Sequence, residues 1–153
     1  MKRTLSMIAV ACLAVLPAKM VAAHCEVPCG IYGDQRRFEE MLEDCETIAK
    51  ALGEIQKLAG NHDPQSVNQT VRWVTTKEAH AVNTQHVIAQ YFLAQRIKSD
   101  NPKYVEQLKA AHAVIVAAMK CKQTADTAAA ETLKKSILDL YRAYEGKEPE
   151  LEK

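Results

Sequence analysis

Four apolar stripes at helical spacing, two start signals of the Asp-Pro or Asn-Pro type and a scarcity of glycine predict an all-α protein, an up-and-down antiparallel four-helix bundle. From Asp34 to the end of the last stripe only Gly53 and Gly60 interrupt. No stretch alternates apolar and polar residues as a half-buried strand does. The 153 residues are enough for one domain and too few for two ordinary ones. The expected organisation is a leader over residues 1–23, a short non-helical segment over 24–33, the bundle over 34–147 and a charged tail over 148–153.

Lys2 and Arg3 give the leader a positive start, residues 5–16 are mostly apolar, and Val21-Ala22-Ala23 offers the small residues a signal peptidase requires. A membrane anchor needs about 20 consecutive apolar residues, and Pro17 and Lys19 interrupt this run too early. A lipoprotein anchor at Cys12 is disfavoured, because Ala9-Val10-Ala11 lacks the usual leucine and the apolar run continues past the cysteine. Cleavage after Ala23 would give an exported protein, periplasmic or extracellular, with no membrane attachment after processing. The leader takes three of the 20 basic side chains and none of the 19 acidic ones, leaving 17 against 19, a balance of −2. Nucleic acid, which calls for a clustered basic face, is not an expected partner.

The first helix carries Phe38, Met41, Leu42, Cys45, Ile48, Ala49, Leu52 and Ile55 in steps of three and four, with Asp34 as its expected cap and Gly60 as its stop. Asp63-Pro64 opens the second, since a proline costs nothing at the first helical position. This helix can run to about Ile97, or roughly 50 Å at 1.5 Å per residue, which exceeds what its partners need; the surplus is expected to bend or to meet another subunit. Asn101-Pro102 repeats the start signal, and Tyr104, Val105, Leu108, His112, Ile115 and Met119 make the third stripe. The fourth has Ala129, Leu133, Ile137, Leu140, Tyr141 and Tyr144, ending near Gly146 and Pro149. A bundle alone says nothing of function. CxxCH for covalent haem and paired Glu-x-x-His motifs for di-iron are both absent from the sequence.

The chemistry lies in His24-Cys25-Glu26-Val27-Pro28-Cys29-Gly30-Ile31-Tyr32-Gly33. Cleavage after Ala23 makes His24 the amino terminus. Its amine and the backbone nitrogen of Cys25 can close a five-membered ring on a metal, and that nitrogen with the Cys25 sulfur can close another. Cys29 can supply a fourth donor if the chain doubles back, for which Pro28 and Gly30 are suitable turn residues. Two nitrogens and two sulfurs in a plane favour nickel or copper over tetrahedral zinc. The His24 imidazole can approach along the perpendicular axis. Taken without further context, an exported CxxxC is more often a disulfide, because thiols pair in an oxidising compartment unless a metal holds them.

The run His-Cys-x-x-Pro-Cys-Gly-x-Tyr at a processed amino terminus resembles the hook of the nickel superoxide dismutase family. A second stretch, from Val71-Arg72-Trp73 through Lys77-Glu78-Ala79-His80-Ala81 to Tyr91-Phe92, is similar to that family's second helix. The resemblance implies a metal-binding hook ahead of the bundle, with one nickel ion per subunit held by the His24 amine and imidazole, the Cys25 backbone nitrogen and thiolate, and the Cys29 thiolate. It implies dismutation of superoxide through divalent and trivalent nickel, and assembly as a homohexamer. Tyr32 matches the tyrosine that lines the substrate approach. Glu40 matches a carboxylate that hydrogen-bonds the axial imidazole, and His80 falls where some members have an arginine partnering that carboxylate. Glu26 replaces an aspartate common in the hook.

Other readings of single residues are plainer. Cys45 and Cys121 could be buried as small apolar residues or could pair with each other, and helical position alone does not decide. His62, His86 and His112 read as surface or satisfied core residues. Trp73, Tyr91 and Phe92 read as packing residues, with subunit contact the alternative for Trp73. Two rival functions keep the same hook or its cysteines: a carrier of nickel or copper without turnover, and a disulfide-stapled structural or adhesive protein.

Overall fold

The computed structural model describes residues 33–150. Four α-helices make up this part of the chain: α1 (Asp34–Leu58), α2 (Pro64–His86), α3 (Tyr104–Gln123) and α4 (Ala128–Glu145). α2 passes directly into a π-helix, Val87–Arg96. No strand occurs among the described residues. α1 packs on α2 and α4, and α3 packs on the same two, so the helices form a closed square in chain order. Neighbours run antiparallel: Asp34 at the start of α1 meets Arg96 at the end of the π-helix and Tyr144 near the end of α4. The sequence-derived fold class is thus the observed one.

α1 buries Phe38, Met41, Cys45, Ile48 and Leu52, the core of its apolar stripe. Gly60, at a φ of 88°, turns the chain away beyond the helix end. The cap differs from expectation. Gly33 occupies the cap position without a side-chain bond, and Asp34 is the first helical residue. Its carboxylate is taken by three tertiary donors, one of them charged, which hold it more strongly than two backbone amides would.

α2 begins as the sequence indicates: Asp63 accepts from the backbone N–H of Gln65 and Ser66, each at 3.0 Å, and Pro64 follows in the first turn. From Pro64 to Thr76 no residue is buried; the first inward side chain is Lys77. The helix runs unbroken to Arg96, as the expected end near Ile97 requires, but after His86 its hydrogen bonding shifts to the i→i+5 pattern, as in Ile97 N–H to Phe92 O at 2.8 Å. In an α-helix residues five apart sit about 140° from each other. The wider turn instead brings Tyr91 and Arg96 to one side, with the guanidinium 5.9 Å from the ring centre.

α3 is rotated relative to the stripe read from the sequence. Val105, His112 and Met119 are exposed, and the buried face is Gln107, Ala111, Val114, Ala118 and Cys121. Ala111, Ala117 and Ala118 lie on that buried face, while Tyr104, Leu108 and Ile115 pack against the core half-buried. α4 buries Leu133, Ile137, Leu140 and Tyr141 and ends at Gly146, whose φ of 73° suits glycine. The largest core side chains gather where α1 begins. Phe38 lies 4.8 Å from Phe92 and 4.9 Å from Tyr141, ring centre to ring centre, and Phe92 lies 5.4 Å from Tyr144.

Candidate metal centre and the residues that support it

His24, Cys25, Cys29 and Tyr32 lie outside the described residues. What the structure describes is the end of the bundle to which they are joined. There Asp34 accepts from Tyr91 Oη at 2.6 Å, Tyr144 Oη at 2.7 Å and Arg96 Nη2 at 2.7 Å. Burial alone would raise the Asp34 carboxyl, but the bonds from Arg96, Tyr91 and Tyr144 outweigh it and hold it below its ordinary value. Burial and then the Asp34 charge push both phenols up to about 12. Gln35 is held as well: Tyr141 Oη donates to it at 3.0 Å, and its amide donates to the Glu150 carbonyl at 3.1 Å.

Glu40 and His80 each have a partner, and it is not the other. Glu40 Oε2 is 2.7 Å from Arg37 Nη1. The pair is held by charge, since Glu40 Oε2 and Arg37 Nε are buried without a well-aligned hydrogen bond. His80 donates from Nδ1 to Asp44 Oδ1 at 2.7 Å, while Asn83 and Thr84 donate to Asp44 Oδ2 at 2.8 and 3.2 Å. Asp44, buried, is thus satisfied entirely by α2.

The sequence reading missed Asp44, and also Lys77, which donates to the carbonyls of Lys122 and Thr124 at 2.8 and 2.9 Å. The available signal was a charge standing where the helical stripe calls for an apolar residue: Asp44 falls between Met41 and Ile48. Of the other histidines, His62, His86 and His112 are exposed. Trp73 is half-buried under the Lys50 ammonium, 5.8 Å from the ring centre.

Cys45 and Cys121 are both buried free thiols. Cys45 Sγ donates to the Ala130 carbonyl at 3.2 Å. Burial pushes Cys45 up to about 12 and Cys121 up to about 11. A metal ligand must be thiolate, so these two are poorly suited to ligation. Among the described residues no group of three or more His, Cys, Asp or Glu is placed to hold a metal ion, and no helix is long and apolar enough to cross a membrane.

Fold and sequence together define a small helical metalloprotein whose donor-rich segment precedes its bundle. The sequence model of the nickel-containing superoxide dismutase family matches residues 19–148, and the chain belongs to that family. It is a superoxide dismutase, with nickel as cofactor and superoxide as substrate. No characterised protein and no solved structure matches it.

Proposed function

We propose that nickel is held by the six residues that follow Ala23 once the leader is removed: by the His24 amine and imidazole, the Cys25 backbone nitrogen and thiolate, and the Cys29 thiolate. The observation that carries this reading is the family match, which spans the His24-to-Tyr32 segment. The inert core thiols leave Cys25 and Cys29 as the cysteines suited to ligation. What nickel supplies when bound is one-electron cycling between its divalent and trivalent states, which turns two superoxide ions and two protons into oxygen and hydrogen peroxide. Anionic sulfur and a deprotonated amide donate the electron density that makes the higher state accessible.

The remaining roles fall to side chains. Tyr32 lines the approach and excludes anions larger than superoxide. Glu40, ion-paired with Arg37, orients the His24 imidazole. The Asp44–His80 pair fixes α1 against α2 one turn further along. Ligation displaces protons from an amine that titrates near 7.7–8.0 and thiols near 8.5, so nickel loading weakens in acid. The protein is exported to the periplasm or beyond the cell and assembles as a homohexamer. Val67, Val71, Val74 and Val82, all exposed on one face of α2, support such a subunit contact, and sedimentation of the loaded protein reads the subunit number.

Replacing Cys29 with Ser tests the ligand set. The variant should keep its helical content and lose both stoichiometric nickel and superoxide dismutation. Full nickel content with full turnover would refute Cys29 as a ligand, and full nickel with no turnover in the unsubstituted protein would favour a carrier.

A further inference from the structure

The start of α1 is held in an unusual way. Its cap residue, Gly33, offers no side chain, yet the next two residues are tied to three other parts of the chain. Asp34 accepts from Tyr91 and Arg96 of the π-helix and from Tyr144 of α4. Gln35 is bonded to Tyr141 of α4 and to the backbone of the tail at Glu150. Asp34 is only 13% exposed, and its three partners are charged or phenolic donors at 2.6–2.7 Å.

Helix formation does not require this. An acidic side chain in the first turn already complements the helix dipole when left in water, and an aspartate at a helix start ordinarily bonds the local backbone, as Asp63 does in α2. Asp34 instead reaches across the bundle end. The π-helix makes that reach possible, because only its wider turn places Tyr91 and Arg96 on one side. A widened helix and a buried carboxylate are both costly, and both converge on the residue that follows Gly33. Gly33 itself is exposed with open space around its α-carbon. Beyond it the chain has five residues to cover from Asp34 to Cys29, a reach of at most about 18 Å.

We propose that Asp34 is the positioning residue of the nickel hook: gripped by Tyr91, Arg96 and Tyr144, its carboxylate fixes the root from which Cys29 and the amino terminus reach the metal. This rests on the hook reading given above. Asp34 touches no metal ligand and acts through the backbone it immobilises. Removing its charge frees the root, so the ligands still bind but their geometry and retention deteriorate.

The test uses the processed, nickel-loaded protein with Asp34 replaced by Asn, and with Tyr144 replaced by Phe as a second variant that removes a single hydroxyl. Three quantities are read: helical content, the rate at which a chelator strips nickel, and the electron paramagnetic resonance spectrum of the oxidised metal. Asp34→Asn should keep its helices, lose nickel about tenfold faster and show a broadened spectrum, with Tyr144→Phe shifted in the same direction by less. A lower melting temperature with unchanged nickel loss and an unchanged spectrum would overturn the proposal, leaving Asp34 a purely structural residue. If Asp34→Asn does not fold, the same two nickel readouts on Tyr144→Phe decide, and wild-type values there overturn it. Failure of the underlying hook reading looks different: the unsubstituted protein and Cys29→Ser would then hold nickel equally well.

Discussion

At the scale of single residues, what distinguishes this bundle is where it spends its buried charges. Asp44 and Lys77 are buried and Asp34 is largely covered, and each is bonded by two or three groups from another part of the chain. Burial without partners would cost several kcal/mol for any of them. The Asp34 network has a signature in pH. Its carboxyl is held below the ordinary 3.8, so the stability it contributes is fully present above pH 3.8 and is lost as the pH falls through the lowered folded value. Acid unfolding followed by circular dichroism should show a shallower low-pH decline in Asp34→Asn than in the parent protein, and parallel curves would contradict the assignment. On the alkaline side the sign reverses. Tyr91 and Tyr144 move from 10 to about 12, and Cys45 from 9 to about 12, so their contributions hold at neutral pH and disappear as the pH rises through those windows.

At the scale of elements, legibility varied with the kind of signal. α1 and α4 were readable because leucine, isoleucine and aromatic residues mark a single face, and the start of α2 was readable because Asp63-Pro64 states a cap and a first turn chemically. α3 was misread by a rotation: with alanine at 110, 111, 113, 117 and 118, several faces are equally plausible, and which one is buried is settled only by tertiary packing. The π-helix was invisible, since no proline or glycine marks it; the two side chains it brings to Asp34, Tyr91 and Arg96, are five residues apart. Of the candidate site, the segment from His24 to Tyr32 is legible as a motif that the family model also spans, while the Asp44–His80 pair depends on which helix faces which. Lys77 shows how elements are joined. Its ammonium closes the exposed carbonyls at the end of α3, so Lys77→Ala should lower unfolding stability by about 2–4 kcal/mol. Chemical denaturation measures this, and a loss below about 0.5 kcal/mol, the range of ordinary surface changes, would show that the contact is idle.

At the scale of the whole molecule, bundle and hook divide the work. The described bundle brings together no cluster of metal donors and keeps its own thiols protonated; its first two helical residues, Asp34 and Gln35, are bonded to other parts of the chain. In the proposed ligand set the donors come from the hook, and one of them, the amine of His24, would exist only after proteolysis. On the proposed ligand set, the cut after Ala23 would switch activity on, and a chain extended by even one residue before His24 would offer an amide nitrogen in place of the amine. The most direct measurement is intact mass of the purified protein alongside its nickel content and superoxide dismutation, for the processed chain and for one bearing an added alanine ahead of His24. The processed chain should begin at His24, hold one nickel per subunit and turn over, while the extended chain should be inactive. Full turnover by a chain that begins upstream of His24 would show that the free amine of His24 is not needed to hold nickel.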